Sequence, residues 1–117
     1  MKFSKKIEQH ICWYYFEGDL LGQSSGAEVL QDAEHHLETT DILTCAIDIS
    51  KVNYMNSSGL TILIRLLTMF RNKGGEVVLI KPSEAVSKLL LITKLNAIFT
   101  VLENHEQVLK LFPKENP

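Results

Sequence analysis

The chain has 117 residues, enough for one domain with a hydrophobic core of its own. With 45% hydrophobic and 22% charged residues, its composition is that of a water-soluble globular protein. The formal charge of -2, with Lys and Arg scattered, argues against the basic stripe of a nucleic-acid binder, and no apolar run is long enough to cross a membrane.

Met-Lys-Phe-Ser-Lys-Lys begins basic but continues into charged and polar residues, unlike a signal peptide, so a cytoplasmic protein is expected. Residues Ile7 to Phe16 then read as extended, with Ile11, Trp13, Tyr14, Tyr15 and Phe16 favouring strand. His10 marks a turn or bulge, so this stretch is one long strand or two short ones. After Gly18-Asp19, the polar loop Gly22 to Gly26 leads into a helix over about Ser25 to Glu38. Ser24 or Ser25 caps it, and Glu28 stands at the capping-box spacing from Ser25. Ala27, Leu30, Ala33 and Leu37 give this helix its apolar face, while His35 and His36 sit among polar residues and read as solvated.

Ile42 to Ile49 is a strand apolar on both faces, the usual parallel case. A long helix follows over Ser57 to Asn72 and stops at Gly74-Gly75. Val77 to Ile80 is a short buried strand. Pro82-Ser83-Glu84 opens a third helix that ends at Asn96. Ile98 to Leu102 is a last strand, and Asn104 caps a final helix closed by Pro113. Strands alternating with helices give an α/β domain with a largely parallel sheet, spanning residues 1–112, with 113–117 as a loose tail.

Most catalytic chemistry finds no support. There is no Gly-x-Ser-x-Gly elbow, no phosphate-binding loop and no dinucleotide fingerprint. His10, His35, His36 and His105 form no constellation around a nucleophile. Cys12 and Cys45 lie in strand-like runs without metal-ligand spacing and read as reduced, buried thiols. No cofactor or metal is expected.

The distinctive feature is Asn56-Ser57-Ser58-Gly59, where a central strand gives way to a helix. Asn56 and Ser57 are both good N-cap residues, so a plain helix start explains part of it. Yet a cap needs one such residue, and the carboxyl end of a central strand is where functional loops gather in α/β sheets. The helix that follows is also unusually apolar. Leu60, Leu63, Ile64, Leu67 and Phe70 form a stripe for the sheet, and Ile62, Leu66 and Met69 extend it toward the opposite side. That extra width is either covered by another element or offered to a partner. A phosphate on a serine here would meet free N–H groups and the positive end of the helix dipole.

The stretch DISKVNYMNSSGLTILIRLL, Asp48 to Leu67, resembles the signature of the STAS domain of sulphate transporters and bacterial anti-sigma factor antagonists. The family pattern is Asp-x-Ser/Lys-x-Val-x-x-Met/Ile-Asp-Ser-Ser/Thr-Gly-Leu, followed by an apolar helix. FEGDLLGQSSGAEV is similar to the family's loop before the first helix, and the segment from Gly74 to Lys110 to its closing helices and strands. The resemblance implies a mixed sheet of four to five strands, its first strands antiparallel, with about four helices mainly on one side.

It also implies a non-enzymatic partner-switching regulator without a cofactor. Such a protein binds a kinase-type anti-sigma factor, which itself binds ATP. The kinase phosphorylates the first motif serine, Ser57 here, and a serine phosphatase reverses the modification. Asp19, Leu21, Gln23 and Ser24 would join Met55, Asn56, Ser58, Gly59, Leu60, Ile62 and Met69 in the contact surface. The family usually has Asp before the phosphorylated serine. Asn56 keeps the capping oxygen and removes one negative charge from the face a kinase reads. An alternative from the same resemblance is an unphosphorylated adaptor subunit of a membrane lipid transport complex, bound to the transporter's ATPase subunit. Neither reading involves nucleic acid or membrane insertion.

Overall fold

The computed structural model describes residues 1–21 and 24–113. The chain opens with β1 (Lys2–Glu8) and β2 (Ile11–Glu17), an antiparallel hairpin with Glu8 opposite Ile11. Its two-residue loop is Gln9-His10, at φ of 54° and 65°. Both turn residues are left-handed, as the twist of a tight hairpin demands, although neither is the usual Asn or Gly. The extended opening is therefore two strands, and the first starts earlier than the sequence suggests. Phe3 packs against the core while Lys2, Ser4 and Lys6 face water.

After β2 come α1 (Ser24–Thr39), β3 (Thr44–Lys51), α2 (Ser57–Asn72), β4 (Glu76–Ile80), α3 (Glu84–Ile92), β5 (Thr100–Leu102) and α4 (His105–Leu111). The third helix is shorter than expected. Lys94 takes φ 62° and turns the chain into a separate 3₁₀ segment, Leu95–Ala97. The side chains of Ser24 and Ser25, the expected caps, lie outside what the structure describes.

The sheet runs β1-β2-β3-β4-β5, antiparallel at the first pair and parallel thereafter. Because each parallel step moves in the same direction, right-handed crossovers place α1, α2 and α3 on one face. Their core residues, including Val29, Ala33, Leu63, Leu66, Phe70, Val86 and Leu90, pack on Tyr14, Phe16, Ile47, Ile49, Val77 and Leu79. The last helix takes the other face, where Val108 meets Ile11, Trp13, Ala46, Val78 and Ile80. This is the mixed five-stranded sheet that the sequence implied. Cys12 and Cys45 are free, fully buried and opposite one another on β2 and β3. Among the described residues no helix is long and apolar enough to cross a membrane.

Two polar arrangements fix α1. The phenol of the buried Tyr14 donates to the Asp32 carboxylate at 2.6 Å, and Lys5 pairs with the same carboxylate at 3.3 Å. Near the end of the helix, His36 is buried at 1% exposure, not solvated as its polar neighbours suggested. Its Nε2 donates to the Ile42 carbonyl at 2.7 Å, its ring lies against Phe70, and Nδ1 has no partner. A proton on Nδ1 would be buried without an acceptor, so burial holds the ring's pKa below its ordinary value.

The sign follows from linkage. The unfolded chain takes up a proton near pH 6.5 that the folded chain resists, so stability is full above that pH and falls as pH drops below it. We predict that the stability gap between wild type and His36→Gln, measured by urea unfolding, narrows between pH 7.5 and pH 5. A gap independent of pH would contradict the neutral buried ring.

Candidate functional site

Two loops meet at the carboxyl end of the central strands. Gly18 N–H donates to Lys51 O at 3.0 Å, Leu20 N–H to Tyr54 O at 3.0 Å, and Asn56 N–H to Leu20 O at 3.4 Å. Leu20 and Met55 thus form one parallel bridge beyond the ends of β2 and β3. Both side chains are buried at 1% exposure, which anchors the loops from below.

The start of α2 is built on this bridge. Asn56 is the N-cap in extended conformation, and its side-chain oxygen accepts from Gly59 N–H at 2.9 Å. Gly59 packs so tightly on the bridge that a Cβ there would overlap the Leu20 carbonyl oxygen. Glycine is required by this backbone approach, since the obstacle is main chain and cannot rotate away. Ser57 and Ser58 occupy the first turn and are exposed, while Asn56 is half-buried. The first turn holds no acidic residue. The N–H groups of Ser57 and Ser58 precede the first intrahelical bonds, so an anion on Ser57 would face both free donors and the helix dipole.

The remaining signature residues are structural. Asp48 Oδ1 accepts from Ser50 N–H at 3.0 Å and Ser50 O–H at 2.6 Å, which shapes the exit from β3. Its Oδ2 meets His105 Nε2 of α4 at 3.1 Å on the far face of the sheet, where His105 lies over Trp13. Burial alone would raise the Asp48 pKa, but the hydrogen bonds from Ser50 and His105 outweigh it and hold the carboxyl below its usual value. His105 and His36 are committed elsewhere, and among the described residues no histidine hydrogen-bonds Ser57.

The proposed contact residues divide. Asp19, Leu21, Ser57 and Ser58 are exposed around the loop junction, together with the half-buried Asn56. Gln23 and the side chain of Ser24 lie outside the described residues. Met55, Gly59, Leu60 and Ile62 are buried, which corrects the expectation that they face a partner. The reason is α1. It lies across α2, and a Cβ at Gly26 would overlap Ile62. The extra apolar width of α2, Ile62 and Leu66 included, is therefore covered from within. Met69 is half-buried and lines a cleft between α1 and α2 with Leu30, Leu37, Arg65 and Thr68.

Sequence reasoning missed Tyr54. It is 57% exposed, whereas every other aromatic side chain is buried or half-buried. Its backbone is fixed by Leu20, so the ring is held outward three positions before Ser57. The available signal was its place beside the buried Met55 in an extended segment, where neighbouring side chains point opposite ways.

The STAS domain family model matches residues 2–109. This chain belongs to the STAS domain family. Among solved structures, a Thermotoga maritima protein described as a candidate anti-sigma factor antagonist superposes with a TM-score of 0.84 at 18% identity, covering 93% of this chain and 92% of its own. The anti-sigma factor antagonist SpoIIAA matches in its unphosphorylated form (TM-score 0.72, 12% identity, 94% and 96% covered). The phosphorylated form of SpoIIAA, from Bacillus, matches as well (0.74, 14%, 94% and 98%). An anti-sigma factor antagonist from Mycobacterium paratuberculosis gives 0.77 at 16% identity, covering 94% and 92%.

The Gly59 contact gives a direct test. Gly59→Ala should cost about 2–3 kcal/mol in urea unfolding, because either the bridge or the first turn of α2 must shift. Ser58→Ala, at an exposed neighbour, should stay within about 0.5 kcal/mol of wild type. Equal stability of the two variants would contradict the close approach.

Proposed function

We propose that this STAS domain is a non-enzymatic partner switch that binds a kinase-type anti-sigma factor in the cytoplasm and is released by phosphorylation of Ser57. The observation that carries the proposal is the exposed Ser57 in the first turn of a capped helix, on a backbone fixed from beneath by the Leu20–Met55 bridge. Asp19, Leu21, Tyr54, Asn56 and Ser58 surround it and form the contact surface. The buried Met55, Gly59, Leu60 and Ile62 hold that surface in shape.

The likeness to SpoIIAA, an anti-sigma factor antagonist with a phosphorylated form, supports this reading. The mechanism is electrostatic. A phosphate brings close to two negative charges onto a surface that a partner must desolvate, and the helix N-terminus accommodates it when the partner is absent. The anti-sigma factor supplies ATP and the catalytic groups, and a serine phosphatase restores the binding form. Asn56 preserves the cap without the like charge that an aspartate would place beside the phosphate.

The test is affinity purification of the tagged protein from its native cell, with intact-mass measurement of the bait. A kinase-like ATPase should bind wild type, a fraction of the bait should be about 80 Da heavier at Ser57, and Ser57→Asp should weaken binding by about 2–5 kcal/mol. Equal binding by wild type and Ser57→Asp would refute the switch. A transporter ATPase partner with no phosphate would establish the adaptor role in its place.

A further inference from the structure

The chain has two cysteines, and the fold brings them side by side. Cys12 and Cys45 are register partners on β2 and β3, which are neighbouring parallel strands. Residues in register point their side chains to the same face of a sheet. Both thiols accordingly lie in the core cluster on the side that carries α1, α2 and α3, and both are fully buried.

The backbone already suits a bond between them. A disulfide usually joins Cα atoms about 4.4–6.8 Å apart, and neighbouring strands lie about 4.7–4.9 Å apart. The Cβ atoms fit less well. Side chains that leave the sheet in parallel keep the spacing of their strands, whereas the bond prefers Cβ atoms about 3.8 Å apart. A disulfide here can form without breaking the sheet, and its strain makes it reducible again.

The surroundings treat the two thiols unequally. The hydrogen bond from the Cys45 thiol, helped by the Lys5 charge, outweighs burial and holds Cys12 below its ordinary pKa. Burial pushes the Cys45 thiol up. The thiolate is the reactive form, so Cys12 is the attacking sulfur and Cys45 the one that resolves the product.

We propose that Cys12 and Cys45 form a redox pair that hydrogen peroxide converts to an intrachain disulfide. The Cys12 thiolate attacks one peroxide oxygen and the O–O bond breaks. Hydroxide leaves, takes a proton and becomes water, and Cys12 is now a sulfenic acid. Cys45 then displaces hydroxide from the Cys12 sulfur, and its thiol proton departs with that hydroxide as a second water. Two thiols have lost two hydrogens, and one peroxide has become two waters. The oxidant has to be about as small as water, because neither thiol has exposed surface.

The bond closes a loop from Cys12 to Cys45 that holds all of α1 and the Leu20 side of the Leu20–Met55 bridge. Oxidation therefore ties together the two strands whose ends carry the Ser57 surface. The inference does not depend on the identity of the switch partner.

The test treats the folded, reduced full chain with hydrogen peroxide, alkylates the remaining thiols in denaturant and measures intact mass. The oxidised chain should be lighter than the reduced chain by two hydrogens and should take up no alkyl group. Cleavage after glutamate separates Cys12 from Cys45, so the two peptides should run as one species that dithiothreitol divides. Cys45→Ala should stop at a sulfenic acid on Cys12 that dimedone traps, and Cys12→Ala should leave Cys45 unoxidised. Circular dichroism verifies the fold of both variants, and the wild-type result stands without them. Thiols that still take up alkyl groups once the methionines are oxidised overturn the proposal. So does oxygen added to either cysteine without the link, or a link between two chains.

Discussion

The structure of the site depends on one backbone contact. The carbonyl of Leu20 lies where any side chain at position 59 would have to go, so the β2–α1 loop and the start of α2 can approach only through Gly59. Leu20 in turn bridges Met55, and the Asn56 cap follows directly. Three constraints therefore converge on Leu20, Met55, Asn56 and Gly59, and Ser57 is placed by groups that are themselves buried or hydrogen-bonded. An exposed serine on a free loop could be modified too, but its phosphate would have no defined position. A phosphate on Ser57 would stand at a fixed point on a preformed surface.

That geometry separates the demands of folding from those of signalling. The core beneath the loops is apolar, and α1 covers the outer side of α2. The polar pairs that shape the domain, Asp32 with Lys5 and Asp48 with His105, do not include Ser57. A change of charge at Ser57 thus need not break any of the interactions that hold the sheet and helices together.

Much of this was legible in the sequence because local signals agreed with the fold. The caps at Asn56 and Asn104, the Pro82-Ser83-Glu84 opening of α3, the double glycine after α2 and the apolar runs of β3 and β4 all report structure that forms near its own residues. What could not be read was decided at a distance. The first strand hides in a lysine-rich opening because its sole inward anchor is Phe3 and its turn, Gln9-His10, carries no glycine. Ile62 and Leu66 pattern like a docking face, and only the position of α1 shows them covered. His36 looks solvated by its neighbours, yet it turns inward under Phe70 and the Ile42 carbonyl. Tyr54 gave no compositional signal, because a single aromatic in a strand exit is usually buried.

On the proposed switch, phosphorylation of Ser57 changes the charge of the surface and leaves its shape alone. The most direct measurement is a comparison of backbone amide NMR spectra and thermal midpoints for the chain with and without phosphoserine at position 57. A fixed loop backbone predicts shifts confined to residues 19–21 and 54–61, with the midpoint raised by about 2–5 °C through the helix dipole. Shifts that spread into the core, or a lower midpoint, would show that the phosphate breaks the Leu20–Met55 bridge and that the switch acts by remodelling the loops.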